Sequence, residues 1–215
     1  MILPALTAIV DADVAAGCGW TVPDAARACL DGGARFLQVR AKRVPGGAFL
    51  EWCDAVVAAA IPYGAAVVVN DRPDIARMAG ASGVHVGQDD LPASAARTLL
   101  GASAIVGLST HTREQVEAAR AEPITYLAVG PIFGSLTKDT GYEAVGLDLV
   151  QFAAAKTDGA VPVVAIGGIT LDRAPQVLAA GATSIAVIGD LFATGDPEVR
   201  TRQFLARLGD VGPNI

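Results

Sequence analysis

The stretch from Ala66 to Asp90, AVVVNDRPDIARMAGASGVHVGQDD, holds the repeating unit of the chain. An apolar run, AVVV, reads as a short buried strand and stops at the polar cluster Asn70-Asp71-Arg72. A helical segment follows near 73–79. Gly80-Ala81 then turns the chain back, since glycine takes the left-handed conformation that ends a helix. A second apolar run, GVHV, stops at Gly87-Gln88-Asp89-Asp90.

The same unit recurs on both sides. FLQV leads into Gln38-Val39-Arg40-Ala41-Lys42, and AIVGL into Ser109-Thr110-His111. YLAV leads into Gly130 to Lys138 (GPIFGSLTK), and VPVVA into Ile166-Gly167-Gly168-Ile169. Eight strands are expected near 3–10, 36–39, 66–69, 83–86, 104–108, 126–129, 163–166 and 184–188. Helices are expected near 23–31, 48–61, 73–79, 92–100, 112–121, 147–156, 172–180 and 197–208. Strands alternating with helices indicate a parallel sheet with crossover helices. Strands that repeatedly end in polar residues indicate a barrel that builds one pocket from many strand ends. The expected fold is α/β, a compact (β/α)8 TIM barrel forming one domain over residues 1–215. Gly32-Gly33, Gly159 and Gly181 fall between a helix and the next strand, as Gly80 does, and read as structural. The tail after Leu208 reads as loose.

Composition narrows the function. A chain of 215 residues suffices for one full core. Hydrophobic residues make up 52% and the mean hydropathy is +0.45, largely through alanine. No segment approaches the ~18 uninterrupted apolar residues of a membrane span. MILPALTAIVDAD reads as a strand, not a signal peptide. The net charge of −6 without any basic stripe disfavours nucleic acid as a partner. Three cysteines without CxxC spacing fit a reduced, cytoplasmic setting. Small molecules are the expected partners, and a homo-oligomer is compatible with the sequence.

Gln38, Arg40 and Lys42 alternate along an extended segment, so all three point to one side. A planar fork beside a mobile point charge suits a diphosphate. Asp71 and the pair Asp89-Asp90 end adjacent strands, and carboxylates brought together call for a cation or a proton. With two histidines and no Cys/His cluster, oxygen ligands suit Mg²⁺ better than zinc. Asp71 could instead cap the helix near Pro73. His85 reads as a core or strand-face histidine, and His111 is left unassigned. The 130–138 loop offers Ser135, Thr137 and Lys138 and could close over a ligand. Gly168 and Gly189 follow the last two strands, where many barrels bind phosphate through backbone N–H groups.

Six motifs in this order resemble the thiamine-phosphate synthase family. They are Gln38-x-Arg40-x-Lys42, Asn70-Asp71-Arg72, Gly83-Val84-His85-x-Gly87-Gln88-x-Asp90-Leu91, Gly107-x-Ser109-x-His111-Thr112, Gly130 to Lys138, and Ile166-Gly167-Gly168-Ile169. The resemblance spans nearly the whole chain. It implies that a pyrimidine methyl diphosphate is joined to a thiazole phosphate, giving thiamine monophosphate and diphosphate by Mg²⁺-assisted dissociative substitution. By this resemblance Gln38, Arg40, Lys42, Asn70, Ser109 and Lys138 hold the pyrimidine diphosphate. Arg40, Lys42 and Lys138 stabilise the leaving group, and Asp71 and Asp90 bind Mg²⁺. Ser135, Thr137, Gly168 and the Ile188-Gly189 backbone hold the thiazole phosphate. The chain departs from the pattern at Ala41 (usually acidic), Gly134 (proline), Ser135 (threonine), Gly189 (serine) and Thr7 (aromatic).

The residues suit such chemistry independently. A diphosphate leaving group needs positive charge where negative charge develops, and no protein nucleophile is required. Other readings are a thiazole tautomerase-like isomerase, a non-catalytic phosphate-binding homologue, or another phosphate-binding barrel enzyme.

Overall fold

A computed structural model describes residues 3–134 and 143–209. Eight parallel strands close into a barrel in sequence order, with β8 paired back onto β1. They are β1 (Leu6–Asp11), β2 (Phe36–Arg40), β3 (Ala66–Asn70), β4 (Gly83–Val86), β5 (Ile105–Thr110), β6 (Tyr126–Val129), β7 (Val163–Ile166) and β8 (Ser184–Val187). The α/β barrel expected from the apolar runs is the fold of the chain. β1 begins and ends later than expected, and its last residue, Asp11, lies opposite Arg40 of β2.

Nine helices are present among the described residues: α1 (Ala12–Gly17), α2 (Val22–Asp31), α3 (Gly46–Ala60), α4 (Pro73–Met78), α5 (Ala93–Leu100), α6 (Arg113–Ala119), α7 (Gly146–Thr157), α8 (Ala174–Ala179) and α9 (Pro197–Leu208). α1 was not expected. It starts because the Asp11 carboxylate accepts hydrogen bonds from the backbone N–H groups of Asp13 and Val14, both at 3.1 Å. An acceptor there satisfies donors that a helix N-terminus leaves open. Thr112 caps α6 in the same way, its hydroxyl accepting from the Gln115 N–H. Pro92 is the N-cap of α5 and not its first helical residue. Asp71 does not cap α4. Arg72 holds that position, and its side chain makes no cap hydrogen bond. No helix among the described residues is long and apolar enough to cross a membrane.

Strand periodicity sorts the side chains into two cores. Outward residues such as Leu37, Val39, Val67, Val69 and Val84 are buried between the sheet and the helices. Inward residues pack a smaller interior cluster around Ile9, Phe36, Val68, Ile105, Tyr126 and Val164. The next inward positions toward the strand C-termini are polar: Gln38 and Arg40 on β2, Asn70 on β3, His85 on β4 and Ser109 on β5. The barrel is therefore plugged below and polar above. The three cysteines are free thiols, and burial pushes the Cys29 thiol up to about 11 and the Cys53 thiol up to about 12. Both buried thiols therefore stay protonated near neutrality and are inert.

Candidate active site

One cavity of about 540 Å³ opens at the C-terminal ends of the strands. Gln38, Arg40, Lys42, Asn70, Asp71, Asp90, Ser109, Gly168, Ile188 and Gly189 all line it. Ser135, Thr137 and Lys138, expected from the sequence, lie outside the described residues.

The wall above β1 to β4 is charged in both senses. The Arg40 guanidinium is ion-paired with Asp11, and both groups are largely buried. Arg40 is thus not a free cation at the pocket mouth, as its sequence setting suggested. Asp11 was missed as a site residue. It is 3% exposed, yet it holds Arg40 with one oxygen and starts α1 with the other. Arg40 Nε is buried without a partner among the described residues. A buried donor of that kind is costly unless a ligand engages it.

Lys42 is ion-paired with Asp71, and Asp90 stands within hydrogen-bonding reach of the same carboxyl. Burial holds the Asp71 carboxyl above the ordinary carboxylate range. Lys42 opposes that shift and Asp90 adds to it. Asp71 also has φ +62°, the left-handed region, which Asp and Asn tolerate better than most residues. Its N–H donates to His85 O at 2.8 Å, which fixes this conformation at the end of β3. Asp90 is anchored by the Gly87 N–H at 2.8 Å. The wall brings together two cations, Arg40 and Lys42, and three carboxylates, Asp11, Asp71 and Asp90. With more carboxylates than cations, such a wall favours a further cation.

The floor is a hydrogen-bonded polar layer. His85 Nδ1 meets the Tyr126 hydroxyl at 2.8 Å, and its Nε2 meets Ser109 Oγ at 2.8 Å. The two rings stack at 5.5 Å. His85 is therefore buried and satisfied, and it also faces the cavity. Burial pushes the Tyr126 phenol well up, against a hydrogen bond with Gln38, so it remains neutral. Gly107 makes this layer fit, because a Cβ there would sit 2.5 Å from His85 Nδ1. Tyr126 went unnoticed because it begins its strand. Gly107 between Val106 and Leu108 was the available signal, since glycine inside a strand marks a close approach.

The opposite wall comes from β6 to β8. Gly168 has φ +63°, and a Cβ on it would lie 2.7 Å from Gly134 O and 2.8 Å from Phe133 Cβ. Gly168→Ala is expected to lower the melting temperature by several degrees, readable by thermal denaturation. His111 Nδ1 meets Gly130 O at 2.5 Å, bracing the start of the 130–138 stretch. Asp190 accepts from Leu171 N–H at 3.0 Å, which ties the segment after β8 to the segment after β7.

A closed (β/α)8 barrel whose strand ends present cations, carboxylates and glycine-rich backbone in one cavity defines a phosphate-binding barrel enzyme. Within that class the chain is a member of the thiamine monophosphate synthase family, which residues 6–191 match. It is 45% identical over 181 residues to the thiamine-phosphate synthase of Anaeromyxobacter dehalogenans, covering 84% of this chain and 80% of that one. It is 42% identical over 187 residues to the thiamine biosynthesis bifunctional protein ThiM/ThiE of Symbiobacterium thermophilum. That match covers 87% of this chain but 38% of the bifunctional protein. Among solved structures it resembles thiamine phosphate pyrophosphorylase from Pyrococcus furiosus, with a TM-score of 0.85 and 28% identity over 96% of each chain. Family membership makes the chain an enzyme of thiamine biosynthesis, a transferase.

Proposed function

We propose that this chain joins a pyrimidinylmethyl diphosphate to a thiazole phosphate in the cavity described, releasing diphosphate and forming thiamine monophosphate. The supporting observation is the wall of paired charges, Arg40 with Asp11 and Lys42 with Asp71 and Asp90, facing the glycine-rich wall of Gly168 and Gly189. One wall suits a diphosphate that comes with a metal. The other suits a phosphate monoester. The polar floor between them suits a heteroaromatic ring.

The reaction breaks the bond between the pyrimidine methylene and the diphosphate oxygen, and the electron pair leaves with diphosphate. The thiazole nitrogen then supplies the pair for the new carbon–nitrogen bond to that methylene. Arg40 and Lys42 stabilise charge building on the departing oxygens. Gln38, Asn70 and Ser109 orient the pyrimidine so that its methylene faces the thiazole nitrogen, which lowers the entropic part of the barrel's task. His85 and Tyr126 hold Ser109 and Gln38 in place through the contacts of the floor.

The donor set fits Mg²⁺. Asp71 and Asp90 supply hard carboxylate oxygens side by side, and the excess of carboxylates on that wall leaves room for a divalent charge. Among the described residues no group of three or more His, Cys, Asp or Glu is arranged to hold a metal ion by itself, so Asp71 and Asp90 would share the ion with substrate oxygens and water. Bound there, Mg²⁺ would supply neutralisation of the leaving diphosphate.

Gly189 opens a short 3₁₀ helix (Gly189–Phe192), whose backbone angles a serine accepts. A hydroxyl donated to a charged phosphate contributes about 1.5–3 kcal/mol. Gly189→Ser is therefore expected to lower the KM for thiazole phosphate about tenfold or more and to leave that for the pyrimidine diphosphate unchanged. Steady-state kinetics in each substrate checks this. A shift confined to the pyrimidine constant would mean that the two walls are assigned the wrong way round.

The proposed activity is tested by incubating the purified chain with Mg²⁺ and the pyrimidine diphosphate, with and without thiazole phosphate. Thiamine monophosphate and diphosphate should appear together, one for one. Isomerisation of a thiazole phosphate without diphosphate release would favour a tautomerase instead.

A further inference from the structure

We infer that Arg173 is a substrate-binding residue of this chain, the cation that receives the phosphate of the thiazole substrate. The inference rests on the synthase reading above and concerns a residue that none of the six motifs contains. Arg173 lines the cavity on the same wall as Gly168 and Gly189. Its guanidinium carbon sits 4.7 Å from the centre of the Phe133 ring, and its Nη1 donates to Gly168 O at 3.0 Å. That is the guanidinium's only hydrogen bond to the described residues, and four of its five N–H donors make none there. A guanidinium already fixed by stacking and by one hydrogen bond loses little freedom when an anion arrives.

The charges of the wall lead to the same residue. Asp190 also lines the cavity and would by itself repel a phosphate. It is neutralised by Arg200, which reaches it through Nε at 3.1 Å and Nη2 at 2.6 Å. The Leu171 N–H donates to the same carboxylate oxygen, two residues before Arg173. With Asp190 and Arg200 cancelling, Arg173 gives this wall its net positive charge. It lines the same cavity as Gly189, which offers no side-chain hydroxyl, and a guanidinium can engage a phosphate through two N–H groups at once.

A bland alternative is that Arg173 is a strap, holding Phe133 and Gly168 together with no part in binding. Kinetics of the full chain with two acceptors separates the two roles: thiazole phosphate and the thiazole alcohol that lacks the phosphate. Arg173→Ala should raise the KM for thiazole phosphate about tenfold to a hundredfold, the effect of losing hydrogen bonds to a charged group. The KM for the pyrimidine diphosphate and kcat/KM with the alcohol should stay within twofold. Arg173→Lys should recover part of the loss, because charge is kept and the fork is not. An equal loss with both acceptors, or an unchanged KM for thiazole phosphate, overturns the inference while the synthase reading stands. A wild-type chain that forms no thiamine monophosphate overturns the synthase reading itself, and this inference with it.

Discussion

Replacing Asp71 by Asn is expected to lower turnover at least a hundredfold without lowering the melting temperature of the metal-free protein. Turnover falls because one of the two adjacent carboxylates proposed to hold Mg²⁺ loses its charge. Stability does not, for a separate reason. Burial raises the Asp71 carboxyl in the folded protein above its unfolded value, with Asp90 adding to the rise. The folded chain then holds its proton more tightly than the unfolded chain does. Stability therefore falls as pH rises from the unfolded pKa toward the raised folded one, and the ionised carboxylate weighs against the fold near neutrality. Asn removes that burden and tolerates the left-handed backbone at this position. The loss of the Lys42 pair is small, since Lys42 is about half exposed. Thermal denaturation with and without Mg²⁺ and diphosphate checks both halves. Ligand should raise the melting temperature of the wild type by mass action and raise that of Asp71→Asn clearly less. A variant with full activity would remove Asp71 from the metal site.

Arg40→Ala is expected to cost about 2–4 kcal/mol of transition-state stabilisation, the range for removing one preorganised donor from a developing negative charge. The same change leaves Asp11 buried without its cation, so the fold is weakened as well. The double variant Asp11→Asn, Arg40→Ala separates the two effects. Asn can still cap α1, and no buried charge is left behind. The double variant should recover most of the melting temperature and none of the activity. Arg40→Lys should recover charge but not the planar fork that meets Asp11 and is proposed to meet the diphosphate. Recovery of kcat/KM in the double variant would show that Arg40 acts only through the fold.

The barrel was legible because its strands are short apolar runs with polar ends, and that pattern is local. FLQV and AVVV mark β2 and β3 almost to the residue. The polar ends also carried much of the site, since inward alternation places Gln38, Arg40 and Asn70 in one layer. Contacts between strands were not legible. Asp11 follows an apolar run as the other polar clusters do, but Ala12-Asp13-Val14 continues without a break, so the helix after it was hidden. Its pairing with Arg40 depends on the register of β1 against β2, which only the folded barrel sets. Tyr126 and His85 pack against each other across β5, where Gly107 leaves the gap. Arg173 and the Asp190–Arg200 pair belong to segments after β7 and β8 that share no motif, and their meeting in space leaves no trace in spacing along the chain.

The central claim is that one cavity brings a diphosphate leaving group and a thiazole phosphate together. Its most direct measurement is diphosphate release by the purified chain from the pyrimidine diphosphate, followed continuously as thiazole phosphate is added and Mg²⁺ is then removed with EDTA. Release should be slow before the addition and rise steeply after it, with one thiamine monophosphate formed per diphosphate, and it should stop with EDTA. Release that ignores thiazole phosphate, or continues undiminished in EDTA, would contradict the account.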